Sequence, residues 1–267
     1  MKYNLGKFYF LVIYLYKFKI MCNLDAFITG GELVIYNVYP HSVLLVIACN
    51  RSAICGGSVL NQNVVLTAGH CLDSCIENPR GIEVRYGHEE IKKMNKTKAK
   101  NYVNHHEYHR AEIVNDIGLV ITVERIPLDD VVKRVIIMRS PPNERKAYVA
   151  GWGLDEFRTR PDSLKHTSAI IQPAELCRQK IMAEDDDPTT FCAGPVNDTG
   201  AADRGDSGSA LMIHRAIQIG IVSYQISPWT LVVYTNVSYY MDWIQEAAKT
   251  LYCAGHDNSK QNDTGQE

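Results

Sequence analysis

An all-β domain of the sandwich or barrel type, with two helices in its C-terminal half, is the fold this sequence predicts. Three observations carry it. After residue 28 the chain breaks into short β-rich runs separated by turn residues. No internal repeat, low-complexity run or linker separates independent domains. The eight cysteines are scattered, and none has zinc-finger spacing, so they read as a disulfide framework rather than metal ligands.

In chain order, Lys2 and Lys7 precede a nine-residue apolar run, Phe8 to Tyr16. It is too short to span a bilayer and fits the apolar part of a secretory signal. Lys17 and Lys19 follow it, and Ala26 is the nearest candidate for the small residue of a cleavage site. Five N-x-S/T sequons, at Asn50, Asn95, Asn197, Asn236 and Asn262, are usable only in the secretory pathway. The chain is therefore expected to be secreted, as a glycoprotein with residues 1–27 as a leader. The strand runs are Ser42–Ala48, Val64–Thr67, Ile117–Val123, Ala147–Ala150, Ala216–Ser223 and Leu231–Val237. Pro173 opens one helix, to about Met182, because proline is tolerated in a first turn. Tyr240, Ile244, Ala248 and Leu251 repeat at helical spacing and mark the second. The polar stretch from Gly255 to Glu267 is expected to be a loose tail. A net charge of −2 gives no general attraction to nucleic acid or anionic membrane.

The chemistry lies in three stretches. "AADRGDSGSAL" (Ala201 to Leu211) has too little apolar bulk for a core, but its glycines let backbone N–H groups and the Ser207 hydroxyl approach a ligand. On its own it reads equally well as a surface turn. "CGGSVLNQNVVLTAGHC" (Cys55 to Cys71) places His70 beside its last cysteine, and "NDIGLVI" sets Asp116 at the head of an apolar run. Serine is a weak nucleophile at neutral pH. It needs a base within hydrogen-bond reach, and that base needs a third group to hold its tautomer.

His70, Asp116 and Ser207, in that order, resemble the catalytic triad of the trypsin/chymotrypsin family of serine endopeptidases. "ITGG" (Ile28 to Gly31), "VAGWG" (Val149 to Gly153), "FCAG" (Phe191 to Gly194) and "VYTNVSYYMDWI" (Val233 to Ile244) match the same family in order, so the resemblance spans about Ile28 to Ile244. It implies two packed six-stranded antiparallel β-barrels, about 28–134 and 135–245, with a short intermediate helix and a C-terminal helix. The polar tail then runs to 267. It implies that the N–H groups of Gly205 and Ser207 form an oxyanion hole, where each donor contributes roughly 3–4 kcal/mol to the transition state. It implies that the Ser223 backbone pairs with an extended substrate, and that Asp206 receives the α-amino group of Ile28 once the preceding bond is cut. Cys55–Cys71 and Cys177–Cys192 match family disulfides. Cys49 and Cys75 flank the first bridge and could pair across neighbouring loops. Cys22 and Cys253 are left over. The implied partners are protein or peptide substrates and protein protease inhibitors. The implied state is a monomer, with no metal or cofactor.

The sequence departs from the family in three places. Phe27, not Arg or Lys, precedes Ile28. Asp203 stands where a disulfide cysteine is usual, and its usual partner is missing too. The specificity pocket has Ala201 at its expected base and Gln225 and Val232 at its walls, in place of an acid and two glycines. Ala201 cannot pair a buried Arg or Lys, and the bulky walls narrow the slot. The expected preference is for small aliphatic residues before the scissile bond. Asp203 is expected to point away from the pocket. The alternative to an active peptidase is a non-catalytic homologue that binds or regulates through an obstructed cleft. His105, His106 and His109 read as a solvated loop rather than a metal site, and the acidic run Asp185 to Asp187 reads likewise.

Overall fold

The computed structural model describes residues 31–75, 78–155, 157–181, 187–195, 200–226 and 231–260, with 252–260 in backbone alone. Ile28, Cys22, Asp185 and the sequons at Asn197 and Asn262 lie outside them.

Six strands close the first barrel: β2 (Ser42–Ala48), β3 (Ser52–Val59), β4 (Val64–Thr67), β5 (Ile82–Tyr86), β6 (Asn95–Asn104) and β7 (Gly118–Thr122). They pair antiparallel in the order β2-β3-β4-β7-β6-β5. β5 shows why. Ile82, Val84 and Tyr86 alternate inward, while Glu83 and Arg85 face out and pair at 2.7 Å. β6, "NKTKAKNYVN", was not read as a strand from sequence. Only Thr97 and Ala99 of it are buried, and partners on both sides supply the order that its composition does not.

The second barrel is built from β8 (Lys146–Gly151), β9 (Lys165–Ile171), β10 (Thr190–Pro195), β11 (Ala210–Ile213), β12 (Ile217–Ile226) and β13 (Leu231–Asn236). Their order is β9-β10-β13-β12-β11-β8, and β8 pairs back to β9. Helix α1 is the single turn Gly69–Leu72, α2 is Ala174–Ile181 and α3 is Met241–Lys260. The Pro173 carbonyl accepts the first bond of α2, from the N–H of Cys177 at 3.2 Å. The helix α3 runs past Gly255, where a loose tail was expected. Its apolar face nucleates the helix on the barrel, and each further residue then adds a bond at little cost.

The first and last described elements each pack on the opposite barrel. β1 (Glu32–Leu33) adds to β9 of the second barrel, with Glu32 opposite His166. Tyr240 and Ile244 of the C-terminal segment are buried in the core of the first. Between the barrels, Ser58 Oγ on β3 donates to Gln218 Oε1 on β12 at 2.7 Å, both side chains being buried. The Gly56 N–H donates to the Ser207 carbonyl at 2.7 Å, which ties the Ser207 loop to the first barrel. Three disulfides are formed: Cys49–Cys75, Cys55–Cys71 and Cys177–Cys192. Among the described residues no helix is long and apolar enough to cross a membrane.

Candidate active site

His70 sits on α1, directly after β4, and Asp116 stands two residues ahead of β7. Because β4 and β7 are neighbours, with Thr67 opposite Gly118, the two side chains converge at one end of the first barrel. Asp116 is 2% exposed and receives three donors. Its Oδ1 accepts from the His70 backbone N–H at 2.8 Å, and its Oδ2 lies 2.8 Å from His70 Nδ1. The Ser223 hydroxyl donates to the same Oδ2 at 2.5 Å. Thr235 Oγ1 donates to the Asp116 carbonyl at 2.8 Å, so the second barrel grips this residue twice.

Burial works against charge on Asp116, but these bonds and the His70 ring outweigh it and hold the carboxyl below the usual range. Burial likewise opposes charge on His70, and the Asp116 hydrogen bond and charge overcome it, raising the imidazole above its ordinary value. An ionised carboxylate only accepts, so Nδ1 must carry the proton and Nε2 is left as a base.

The Ser207 backbone lies at the same corner, on the second-barrel side. Cys71 Sγ lies 3.8 Å from His70 Nε2 and 3.6 Å from the Ser207 carbonyl oxygen, which brackets the ring and the serine backbone. Among the described residues the Ser207 hydroxyl makes no hydrogen bond. Catalytic bonds of this type are often long in the free enzyme and tighten on the substrate.

The loop ahead of Ser207 is fixed by its neighbours. Gly205 has φ +99°, a conformation that L side chains rarely adopt. The Leu154 N–H donates to the Arg204 carbonyl at 2.7 Å and fixes that peptide. Among the described residues, the N–H groups of Gly205 and Ser207 have no protein acceptor. Asp206 is fully buried; its Oδ1 accepts from the Gly153 N–H at 2.8 Å and its Oδ2 from the Asp203 N–H at 3.1 Å. A Cβ on Gly153 would lie 2.5 Å from that carboxylate, so this glycine is what admits it. Burial is the main cause that pushes the Asp206 pKa up to about 7; the two hydrogen bonds oppose it. Among the described residues no cation pairs with it.

A cavity of about 460 Å³ opens beside Ser207. Gln225 and Val232 line it as expected. Ala201, expected at its base, is 6% exposed and packed in the core of the second barrel without lining the cavity; Ala202, buried in the same core, and Asp203 line it. Asp203 thus does not point away. With no cysteine to draw it aside, its carboxylate takes the Arg204 N–H at 2.6 Å within the loop. Arg158 and Arg204 also line the cavity, and neither was singled out from the sequence. A larger cavity, about 550 Å³, lies against Cys177 and Cys192, behind α2 and away from Ser207. On β12 the pairing shifts between Val222 and Tyr224, leaving Ser223 as the unpaired residue of a bulge facing the cleft. The His105 ring stacks on His106 and packs against Tyr240 and Trp243, and its Nδ1 accepts the Glu107 N–H at 3.2 Å.

Comparison with known proteins gives one answer. A family model described as Trypsin matches residues 28–244. The trypsin Tyr p 3.0101 of Tyrophagus putrescentiae is 30% identical over 85% of this chain and 82% of its own length. A chymotrypsin of Phaedon cochleariae is 31% identical over 82% and 81%. Among solved structures, HL collagenase superposes with a TM-score of 0.73 at 22% identity, covering 83% of this chain and 98% of that one. The scabies mite inactivated protease paralogue S-D1 gives 0.74 at 25% identity, covering 83% and 97%. With that match over most of its length, two closed barrels and a histidine–aspartate pair at their junction, this chain belongs to the trypsin family of serine endopeptidases.

Proposed function

We propose that the chain is an active, secreted serine endopeptidase in which Ser207 is the nucleophile, His70 the base and Asp116 the group that orients it. The Ser207 oxygen attacks the scissile carbonyl while its proton passes to His70 Nε2. Asp116 stabilises the imidazolium, and the N–H groups of Gly205 and Ser207 receive the oxyanion. The proton then goes to the leaving amine as the C–N bond breaks. Water, deprotonated by the same nitrogen, releases the acyl group. The substrate backbone lies along Ser223. The observation that carries this reading is the fully bonded Asp116–His70 pair, which commits Nδ1 and leaves Nε2 basic. Disulfides support secretion. The buried Asp206, without a cation, supports activation by a new α-amino group at Ile28. Gln225 and Val232 in the cavity wall support a small aliphatic residue before the scissile bond.

A second reading, a non-catalytic homologue, is favoured by two observations. The Ser207 hydroxyl is not bonded to His70, and the similar scabies mite protein is an inactivated protease paralogue. Labelling with a peptidyl phosphonate after cleavage before Ile28 separates the two. Stoichiometric modification of Ser207, lost in His70→Ala, is the expected result. A reagent-inert Ser207 in correctly cleaved protein would establish the non-catalytic reading.

A further inference from the structure

The structure assigns Arg158 and Arg204 as residues that select substrates carrying an acidic side chain near the scissile bond, an inference that rests on the peptidase reading above. Both line the cavity that contains Ser207, and both are exposed at its rim. Among the described residues neither guanidinium has an ion-pair partner. Among the described residues the one carboxylate facing the same cavity is Asp203, whose Oδ1 already accepts the Arg204 N–H. Counted over the described residues, two cations against one engaged anion leave the mouth of the cavity positive, in a molecule whose net charge is −2.

Arg158 is held there by a built loop. The Asp155 side chain is buried, its Oδ1 accepts the Thr159 N–H at 2.6 Å, and its Oδ2 accepts the Thr159 hydroxyl. The Asp155 N–H donates to the Thr159 carbonyl, and the Arg158 N–H to the Asp155 carbonyl, both at 2.9 Å. The loop closes with Arg158 at φ +57°, a strained conformation for a residue with a Cβ. Its neighbour Leu154 makes the bond to the Arg204 carbonyl, so one segment sets both arginines relative to Ser207. Arginine presents a rigid fork matched to a carboxylate, and a cleft with low-dielectric walls focuses its field. Because Gln225 and Val232 narrow the slot for the residue before the scissile bond, the acidic side chain belongs to a neighbouring subsite.

The test uses fluorescent peptides with alanine before the scissile bond and Glu, Gln or Lys placed in turn at the second residue before it and at the two residues after it. Binding to cleaved Ser207→Ala protein is read by anisotropy, and turnover by the active protein is read in parallel. At one position at least, Glu should exceed Gln by about threefold to tenfold at low salt and converge with it above about 0.5 M salt. Arg158→Glu or Arg204→Glu should reverse that ratio at the same position, Arg→Gln should flatten it, and Asp203→Asn should raise it. Equal binding of Glu and Gln peptides at every position, or a Glu preference that survives both reversals, overturns the proposal. Selective binding without turnover or phosphonate labelling would instead overturn only the peptidase reading.

Discussion

Asp206 should make the unprocessed chain lose stability as pH rises through the neutral range. Its carboxyl is raised from 3.8 to about 7 by burial without a cation. Between those values the folded state binds more protons than the unfolded one, so unfolding free energy falls with pH. The contribution is whole below about pH 3.8 and gone above about pH 7. Over that full window it is worth about 4 kcal/mol, at about 1.4 kcal/mol per tenfold change in acidity. Between pH 5 and 8 the group should account for about 2–3 kcal/mol. Asp206→Asn removes the titration. The amide oxygen can keep the Gly153 bond, but its NH2 faces the Asp203 N–H, a pH-independent cost of about 1–3 kcal/mol. Urea unfolding of the uncleaved chain, with disulfides intact and Ser207→Ala as background, measures this. The urea midpoint of the Asp206 protein should drop by roughly 1 M more than that of Asp206→Asn between pH 5 and 8, for a slope near 3 kcal/mol/M. Cleavage before Ile28 should shrink the difference, since an α-amino partner favours the carboxylate. Parallel pH profiles for the two proteins would refute the reasoning.

His70→Ala and Ser207→Ala should each remove nearly all turnover, and the double variant should lose little more, because the groups act as one unit. Additive losses in kcat/KM would sink the assignment. Activity of the cleaved enzyme should rise with pH through an inflection above the ordinary 6.5 of histidine, as Asp116 raises His70. Asp116→Asn should remove that shift and lower kcat by on the order of 10³–10⁴-fold; a pH–rate profile that matches the parent enzyme would count against it. Ser58→Ala leaves the buried Gln218 oxygen without its donor between the barrels and should cost about 1–3 kcal/mol in chemical denaturation. A loss below a few tenths would show that this bond does not hold the barrels together.

The residues of the candidate site were legible in the sequence because their chemistry is local. His70 lies next to a cysteine, Asp116 heads a strand and Ser207 sits among small residues, so each leaves a short signature. Strands with a strong apolar pattern were legible for the same reason: Ser42–Ala48 and Val64–Thr67 have the bounds read from composition alone. The strand β6 was not, because half of its residues face water and its order comes from β5 and β7. What only the tertiary structure decided is pairwise and distant in sequence. The Ser223 hydroxyl bonds to a carboxylate 107 residues away, and β1 joins a strand more than 130 positions on, Glu32 opposite His166. Ala201 turns into a core while Asp203, Arg158 and Arg204 turn to the cavity. A motif records which groups are present. Which way a side chain faces depends on which face its neighbours bury, and the 30 acidic and 28 basic residues counted along the chain carry no mark of the few that meet beside Ser207.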